Sequence, residues 1–555
     1  MRVLIPVASS EMTWLAWPKI LGRFLRCMAW FVLIGPQHVA VCADDLAAQS
    51  TTATHATAFN AAQMLRSPPW SLSQPLLGAQ TANELPLWQA IELAIINAPE
   101  IKVVRTQRSV VAESIVVEEA LVDWNTFVST TWDRANAPVG SSLDGATNRL
   151  INDDLTSQLG VTKQNWQGGT FSLDQNLGFN DSNSSFFNPT NQSNTRLGIQ
   201  YQQPLLQGSG RQFNRARVDL AVQQFQTSHF DYVQAFQQHI WNVIQAYWSL
   251  VQSRGLFVIE RDLYANTNAA TRVVRHREQI DVNPLLMARC EASLARRSAA
   301  LQNARYAVIL SQEALLRLIF GANFPHHADQ EVLTPLQHLP LPCDIRPEHH
   351  TAVAMVNRPE ILRDLTAITS AAISEGVARN QLMPILNGFA TLGFRGLRGN
   401  NDLFRSLTDQ MSLRDPSLGL GVEYRLPIGN RAAKAAYRQA RLRIRGLEEQ
   451  LQVTMADIGL EVRNTVNQFQ QNRQQVDALQ IAGNLADREL LVLQDRTRML
   501  LDGDQLGPFY VDTLIAAQDR AASAQRDLWT ARIATSQATF RLQLVNGTLV
   551  RGQID

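Results

Sequence analysis

Apolar residues recur at helical spacing from Leu87 onward. Leu87, Ile91, Ala94 and Ile95, then Val103, Val104, Val110 and Val111, predict helix to about position 121. The period then changes from 3.6 to 2. In the stretch from Trp124 to Trp132, Trp124, Val128 and Trp132 fall on one face of an extended strand, with aromatic residues at both ends. At about 3.3 Å per residue and a tilt near 40°, these tryptophans would stand about 20 Å apart along a barrel axis, close to the height of an outer-membrane apolar band. Leu197-Gly198-Ile199-Gln200-Tyr201 alternates again up to Pro204, which cannot donate to a sheet ladder and predicts the strand's end. Positions 135–194 between them are rich in Asn, Ser, Asp and Gly. There Leu159-Gly160-Val161 and Phe171-Ser172-Leu173, separated by Asn165-Trp166-Gln167-Gly168-Gly169, predict an added hairpin near 156–178. The pattern leaves open whether it adds strands or caps a mouth.

From 211 to about 280 only Gly255 interrupts a helical pattern, which predicts a helix of roughly 100 Å at 1.5 Å per residue. Its apolar stripe is broken often by Gln, Asn and Arg, which suits thin coiled-coil pairing better than a globular core. Asp281-Val282-Asn283-Pro284 ends it, and a second helix runs from 285 to about 320, closing at Gly321. Pro325, Pro335, Pro340, Pro342 and Pro347 mark a linker over 323–350. The order then returns: helix to about 380, strands over 385–394 and 418–426, a long helix over 431–500, a break at Asp502-Gly503-Asp504, and a last helix to 544.

Short motifs return with the order. Asn97-Ala98-Pro99-Glu100-Ile101 is matched by Asn357-Arg358-Pro359-Glu360-Ile361, and Tyr201-Gln202-Gln203-Pro204-Leu205 by Tyr424-Arg425-Leu426-Pro427-Ile428. This internal duplication implies halves that bury their apolar faces on one another. Pro204 and Pro427 lie 223 positions apart, whereas Asn97 and Asn357 lie 260 apart, so the first half holds 37 extra residues between its markers. The Asn/Ser-rich segment is their natural place, which puts the excess at an outer mouth. The expected organisation is a signal peptide at 1–43, an extended arm at 44–84, repeats at 85–322 and 351–547 around the linker, and a tail at 548–555.

Charge adds mainly exclusions. With a net charge of +1 and 18% charged residues, no basic face invites nucleic acid. Lys19, Arg23 and Arg26 precede the apolar run from Cys27 to Ile34, and Val41-Cys42-Ala43 offers a cleavage site, so the start reads as an export signal. Without it only Cys290 and Cys343 remain, tens of Å apart by helix geometry, and no disulfide is expected. No later run offers 18 uncharged apolar residues, so a membrane crossing would be made by strands. No acid, base and nucleophile converge, so neither enzyme activity nor a cofactor or metal site is expected. His326, His327, His349 and His350 read as solvated linker residues, while Gly208-Ser209-Gly210 and Gly419-Leu420-Gly421 read as turn and close-packing glycines.

The doubled order of helix, strand, loop, strand ending in Gln203-Pro204-Leu205-Leu206-Gln207-Gly208, long helix, turn and helix resembles the TolC family of outer-membrane efflux proteins, the outer membrane factors, across about 85–547. The resemblance implies a mainly α chain with membrane β: a long antiparallel coiled-coil tunnel in the periplasm, and four strands per chain in a shared twelve-stranded barrel of a homotrimer in outer-membrane lipid. It implies a passive exit duct for a tripartite efflux or type I secretion system, with a periplasmic adaptor and an inner-membrane pump as partners. Gate candidates are Asp512, Asp502, Asp504, Arg496 and Arg498. Asp281, Val282, Asn283, Pro284, Leu506, Gly507 and Pro508 are candidates for the adaptor-contact tip. Trp124, Val128, Trp132, Leu197, Ile199, Tyr201, Leu420, Val422 and Tyr424 are expected to face lipid, and Gly198, Gln200, Glu423 and Arg425 the lumen. The competing reading is a secreted or periplasmic coiled-coil structural protein with no channel.

Overall fold

Repeated motifs in the chain mark joints between helices. α1 (Leu87–Asn97) and α2 (Pro99–Glu119) are separated by Ala98, as α5 (Pro347–Asn357) and α6 (Pro359–Asn380) are by Arg358. At each joint the Asn side chain donates back to a carbonyl four residues earlier, Asn97 to Leu93 at 3.0 Å and Asn357 to Val353 at 2.9 Å. Proline then occupies the first helical position, where its missing N–H costs nothing, and Glu100 or Glu360 follows at the positive end of the helix. The recurring Asn-x-Pro-Glu is therefore a helix stop followed by a helix start.

The computed structural model describes residues 74–78, 82–140, 149–276, 284–335, 346–412, 416–500 and 508–549, without the side chains of 497–500 and 508–509. All lie in one unit, Met64–Asp555. Besides the helices named, the first half contains β1 (Ala82–Glu84), β2 (Asn125–Pro138), β3 (Arg149–Gln164), β4 (Thr170–Ser182), β5 (Asn191–Pro204), α3 (Arg211–His276) and α4 (Pro284–Phe320). The rest contains β6 (Glu331–Leu333), β7 (Ile385–Gly399), α7 (Leu403–Met411), β8 (Ser417–Arg425), α8 (Arg431–Leu500) and α9 (Pro508–Val545).

Six strands, not the expected four, form one antiparallel sheet in the order β2-β3-β4-β5-β7-β8. The added hairpin is β3–β4, and it pairs along its whole length, from Asn125↔Thr162 to Pro138↔Arg149 on one side and from Thr170↔Gln202 to Asp181↔Asn191 on the other. The excess residues thus run the full height of the sheet instead of sitting at one mouth. Two inserted strands preserve the antiparallel alternation between β2 and β5, which is why the insertion is tolerated. The turn is held by Asn165, whose Oδ1 accepts from the N–H groups of Gln167 at 3.0 Å and Gly169 at 2.7 Å. Gly168 has a φ of +91° there, and a Cβ on it would strike the Gly208 carbonyl beside the start of α3.

α3 and α8 have 66 and 70 residues, about 100 Å each at 1.5 Å per residue. α3 packs on α4 and α8 on α9, while α2 lies along α3, and α6 lies along both α3 and α8. The main core forms where α1, α3, α4 and α9 meet, around Ile240, Tyr247, Trp248, Leu250, Leu315, Ile319 and Trp529. Gly255 is the one break in the α3 pattern because the Trp529 indole occupies the space a side chain would fill, its Nε1 donating to the Gln252 carbonyl at 3.1 Å.

The described parts of the expected arm and linker are tied into this core. β1 pairs in parallel with β6. Arg254 and Glu331 form a fully buried ion pair at 2.7 Å, and the Glu331 carboxylate also accepts from the N–H groups of Leu76 at 2.7 Å and Leu77 at 2.9 Å. Arg254 donates further to the carbonyls of Val332 and Gln74. Burial pulls its guanidinium below the usual arginine range, with Glu331 offsetting that pull. Two linker histidines are also structural: His327 stacks on Phe320 at 3.9 Å, and His350 is buried with Nδ1 2.9 Å from the Asn546 amide. His326 and His349 are exposed. Cys343 and the proposed signal lie outside the described residues.

Removing one member of a buried pair strands the other charge, so Glu331→Ala is expected to cost about 3–5 kcal/mol. It should also free residues 74–78 for proteolysis. Thermal unfolding of detergent-solubilised protein and mapping of protease cuts check both; an unchanged melt and cut pattern would remove the pair from its structural role.

Candidate functional site

Cross-strand register sorts the sheet into two chemically distinct faces. One row runs Val128↔Leu159↔Gln175↔Leu197↔Phe394, another Trp132↔Leu155↔Phe179↔Ser193↔Arg398. Ile199↔Leu392↔Leu418, Tyr201↔Ala390↔Leu420 and Leu386↔Tyr424 continue the same face. Val128, Trp132, Leu197, Ile199, Tyr201, Leu420, Val422 and Tyr424 therefore lie on one side of the sheet. Trp124, just before β2, joins them, making an edge contact with Phe171 at 6.1 Å beneath the Lys163 ammonium. This face is strongly exposed in the single chain, with Val128 at 75% and Leu420 at 75%.

The other face is polar. Its rows include Ser129↔Gln158↔Asn176↔Arg196↔Arg395 and Thr131↔Thr156↔Gly178↔Asn194. Gly198, Gln200, Glu423 and Arg425 belong here, as the alternation predicts. Phe127, Ile385, Phe389 and Leu397 are among the exceptions, and the two phenylalanines each cover a glycine, Gly160 and Gly421. Arg196 and Arg395 stand directly opposite each other and are exposed; no hydrogen bond or ion pair among the described residues joins either. Like charges directly opposite destabilise a strand pair, so this arrangement is not explained by sheet stability.

The alternating pattern did not reveal α7. The apolar face carries a polar patch at Gln175, Ser193 and Thr195, and α7 covers it. Thr195 Oγ1 lies 3.1 Å from both the hydroxyl and the carbonyl of Ser406, and the Gln175 and Gln410 amides exchange hydrogen bonds of 3.1 and 2.7 Å. Gly396 leaves room for the Ser406 carbonyl. With Ser406 and Gln410 buried, Phe404 at 77% and Met411 at 66% point outward. The helix thus turns its most buried polar groups to the sheet and large apolar ones away from it.

The far ends of the helix pairs hold the second set of expected site residues. Asp512 near the start of α9 accepts from Arg289 of α4 at 2.6 Å, so its carboxylate is paired within the chain. Arg496 holds its guanidinium 6.0 Å from the Tyr510 ring centre, and the Tyr510 hydroxyl donates to the Leu493 carbonyl. About two turns further along, buried Arg297 reaches Gln518 at 2.9 Å and Asp519 at 2.7 Å. Beneath them Val274, Leu286, Met287, Cys290 and Val511 form a small apolar core. Arg289 and Arg297 carry no signal in a single helix's periodicity, since their partners lie over 200 positions away. Pro284 is exposed at the start of α4 and Pro508 opens α9. Asp281, Val282, Asn283, Asp502, Asp504, Leu506, Gly507 and the Arg498 side chain lie outside the described residues. Among the described residues no group of three or more His, Cys, Asp or Glu side chains is placed to hold a metal ion.

No protein-family model matches the chain. No curated protein sequence matches it either. Solved structures do. The chain is similar to the CmeC outer membrane channel of Campylobacter jejuni, with a TM-score of 0.60 at 15% identity over 86% of this chain and 91% of that one. For the outer membrane protein VceC of Vibrio cholerae the values are 0.60, 17%, 83% and 96%, and for the MtrE outer membrane channel of Neisseria gonorrhoeae 0.58, 15%, 83% and 89%. The chain therefore has the fold of these outer-membrane proteins along nearly their whole length.

Burial raises the Cys290 thiol above its ordinary pKa, and the carboxylates of Asp512 and Glu291 push in the same direction. At neutral pH it stays protonated and enclosed, so alkylation by iodoacetamide is expected to be slow until the tip unfolds. Asp512→Ala should speed it several-fold, as read by peptide mass mapping. Alkylation of native Cys290 at the rate of a free thiol would contradict this packing.

Proposed function

We propose that this chain, having the fold of outer-membrane channels, is a TolC-like outer membrane factor: the passive exit duct of a tripartite efflux or type I secretion system. The observation carrying this reading is the exposed apolar face of the sheet, bounded by Trp124, Phe171 and Tyr201 at one end and Trp132 and Phe179 at the other. An aqueous protein would cover such a face; in a bilayer it meets hydrocarbon, and aromatic rows suit the two interfaces. Supporting the reading, the residues expected to face lipid share one sheet face, and α7 gains a reason for its outward Phe404 and Met411. A secreted coiled-coil protein without a channel leaves this face unexplained.

Backbone physics then supports a barrel shared by several chains, which we assign to a homotrimer. Six strands are fewer than the eight of the smallest membrane barrels, and lipid forbids the open edges at β2 and β8, so several chains share one barrel. Exposed Val103, Val110, Leu442, Ile481, Leu485 and Val492 on α2 and α8 supply apolar surface for packing between copies in the periplasmic tunnel. At the tip, Asp281, Val282, Asn283, Pro284, Leu506, Gly507 and Pro508 are proposed to meet the periplasmic adaptor, which couples the duct to an inner-membrane pump. The Arg289–Asp512 pair ties α4 to α9 and would hold the helix pairs in the closed arrangement; Asp502, Asp504, Arg496 and Arg498 are proposed as further gate residues. No bond is made or broken; the pump supplies the energy.

The expected product is a heat-modifiable trimer in outer-membrane fractions that gives stepwise conductance in planar bilayers. A soluble product with no conductance would sink the reading. Arg289→Ala is expected to raise the resting open probability by loosening the tip. Removing the opposed cations with Arg196→Ala and Arg395→Ala should shift the reversal potential in a salt gradient toward cation selectivity; an unchanged reversal potential would take these residues out of the conducting path.

A further inference from the structure

The hairpin β3–β4 has no duplicate in the second half, and its side chains repeat the design of a membrane wall. Phe171 and Phe179 stand eight residues apart on β4, as do Trp124, just before β2, and Trp132 within it. Register puts them at matching heights: Trp132 is level with Leu155 and Phe179, and Trp124 touches Phe171. Between the two aromatic levels the hairpin turns Leu159, Val161, Leu173 and Leu177 to the apolar face. It turns Gln158, Thr162, Ser172, Asn176 and other polar residues to the opposite face. A cap or an external flap has no use for two aromatic levels about 20 Å apart, estimated from strand rise and tilt. The turn is also seated at the helical end of the sheet. Gln203 Nε2 and the Gly210 N–H both donate to the Gln167 carbonyl, and Asn165 Nδ2 donates to the Tyr201 hydroxyl.

We infer that the hairpin is part of the barrel wall in the assembled protein, so that three chains of six strands close an eighteen-stranded barrel. This rests on the proposed shared trimeric barrel. The edges fit: β2 and β8 run in opposite directions, so β8 of one chain meets β2 of the next in the antiparallel sense used throughout the sheet. Strand spacing near 4.8 Å and a tilt near 40° give a backbone radius of about 18 Å for eighteen strands, against about 12 Å for twelve, so the cross-section more than doubles. The lining added by the hairpin is mostly amide and hydroxyl: Gln158, Thr156, Thr162, Ser172, Asn176 and Asn180. The outer exit is therefore a wide, hydrated opening.

Cryo-electron microscopy of the full-length protein in lipid nanodiscs tests this directly by counting strands in cross-section. Eighteen strands, with β3 and β4 in the wall, is the expected result. A trimer with twelve strands and the hairpin outside the wall would overturn the inference while leaving the proposed function standing; a particle without a barrel would remove both. Single cysteines supply a second reading in membranes. Leu159→Cys and Leu173→Cys should resist a membrane-impermeant maleimide at least ten-fold better than Gln158→Cys and Ser172→Cys. Equal labelling of the two sets would place the hairpin in water on both faces and reject the assignment.

Discussion

Backbone hydrogen bonding at the two edges of the sheet constrains everything else in this molecule. β2 and β8 each present a row of N–H and C=O groups with no strand partner among the described residues, beside an apolar face bounded by aromatic residues. In water these edges would be an aggregation hazard; in hydrocarbon each unpaired group would cost several kcal/mol. Closure with further copies is the arrangement that removes both problems at once. An even number of strands per chain makes closure possible in one antiparallel sense, and the inserted hairpin respects that parity.

The helical part answers a different demand. Helices about 100 Å long, with sparse apolar stripes, gain little from any one contact, so their stability is concentrated at a few dense places. One is the core around Trp248 and Trp529, where Gly255 lets the indole against the α3 backbone. Another is the buried Arg254–Glu331 pair, which gathers the N-terminal segment, β6 and α3 at a single point. A third is the small core at the end of the helix pairs, fastened at its rim by Arg289 and Asp512. Motion of the helix ends is compatible with a rigid middle because these anchors are well separated along α3.

Much of this was legible in the chain. The change from helical to alternating periodicity located four of the strands, and alternation assigned Leu197, Ile199 and Tyr201 to one face and Gly198 and Gln200 to the other. The Asn-Pro-Glu and strand-Pro markers gave the order of elements in both halves, and their unequal offsets located the extra residues. The fate of those residues was not legible, because a strand whose polar face is built from Asn, Ser and Gln has the composition of a loop. Arg254 and Glu331 were hidden for another reason: a buried charge looks like a surface charge until its partner, 77 positions away, is placed beside it. His350 was misread as a solvated linker residue because the prolines around it obscured the start of α5. α7 hid because its polar positions face the protein, reversing the usual sign of amphipathicity.

The central claim is that one chain cannot satisfy its sheet alone and does so by sharing a barrel among three. Native mass spectrometry of the detergent-extracted protein tests this most directly. The account predicts a three-chain species and no folded single chain under the same conditions. A stable, folded, water-soluble monomer would contradict it.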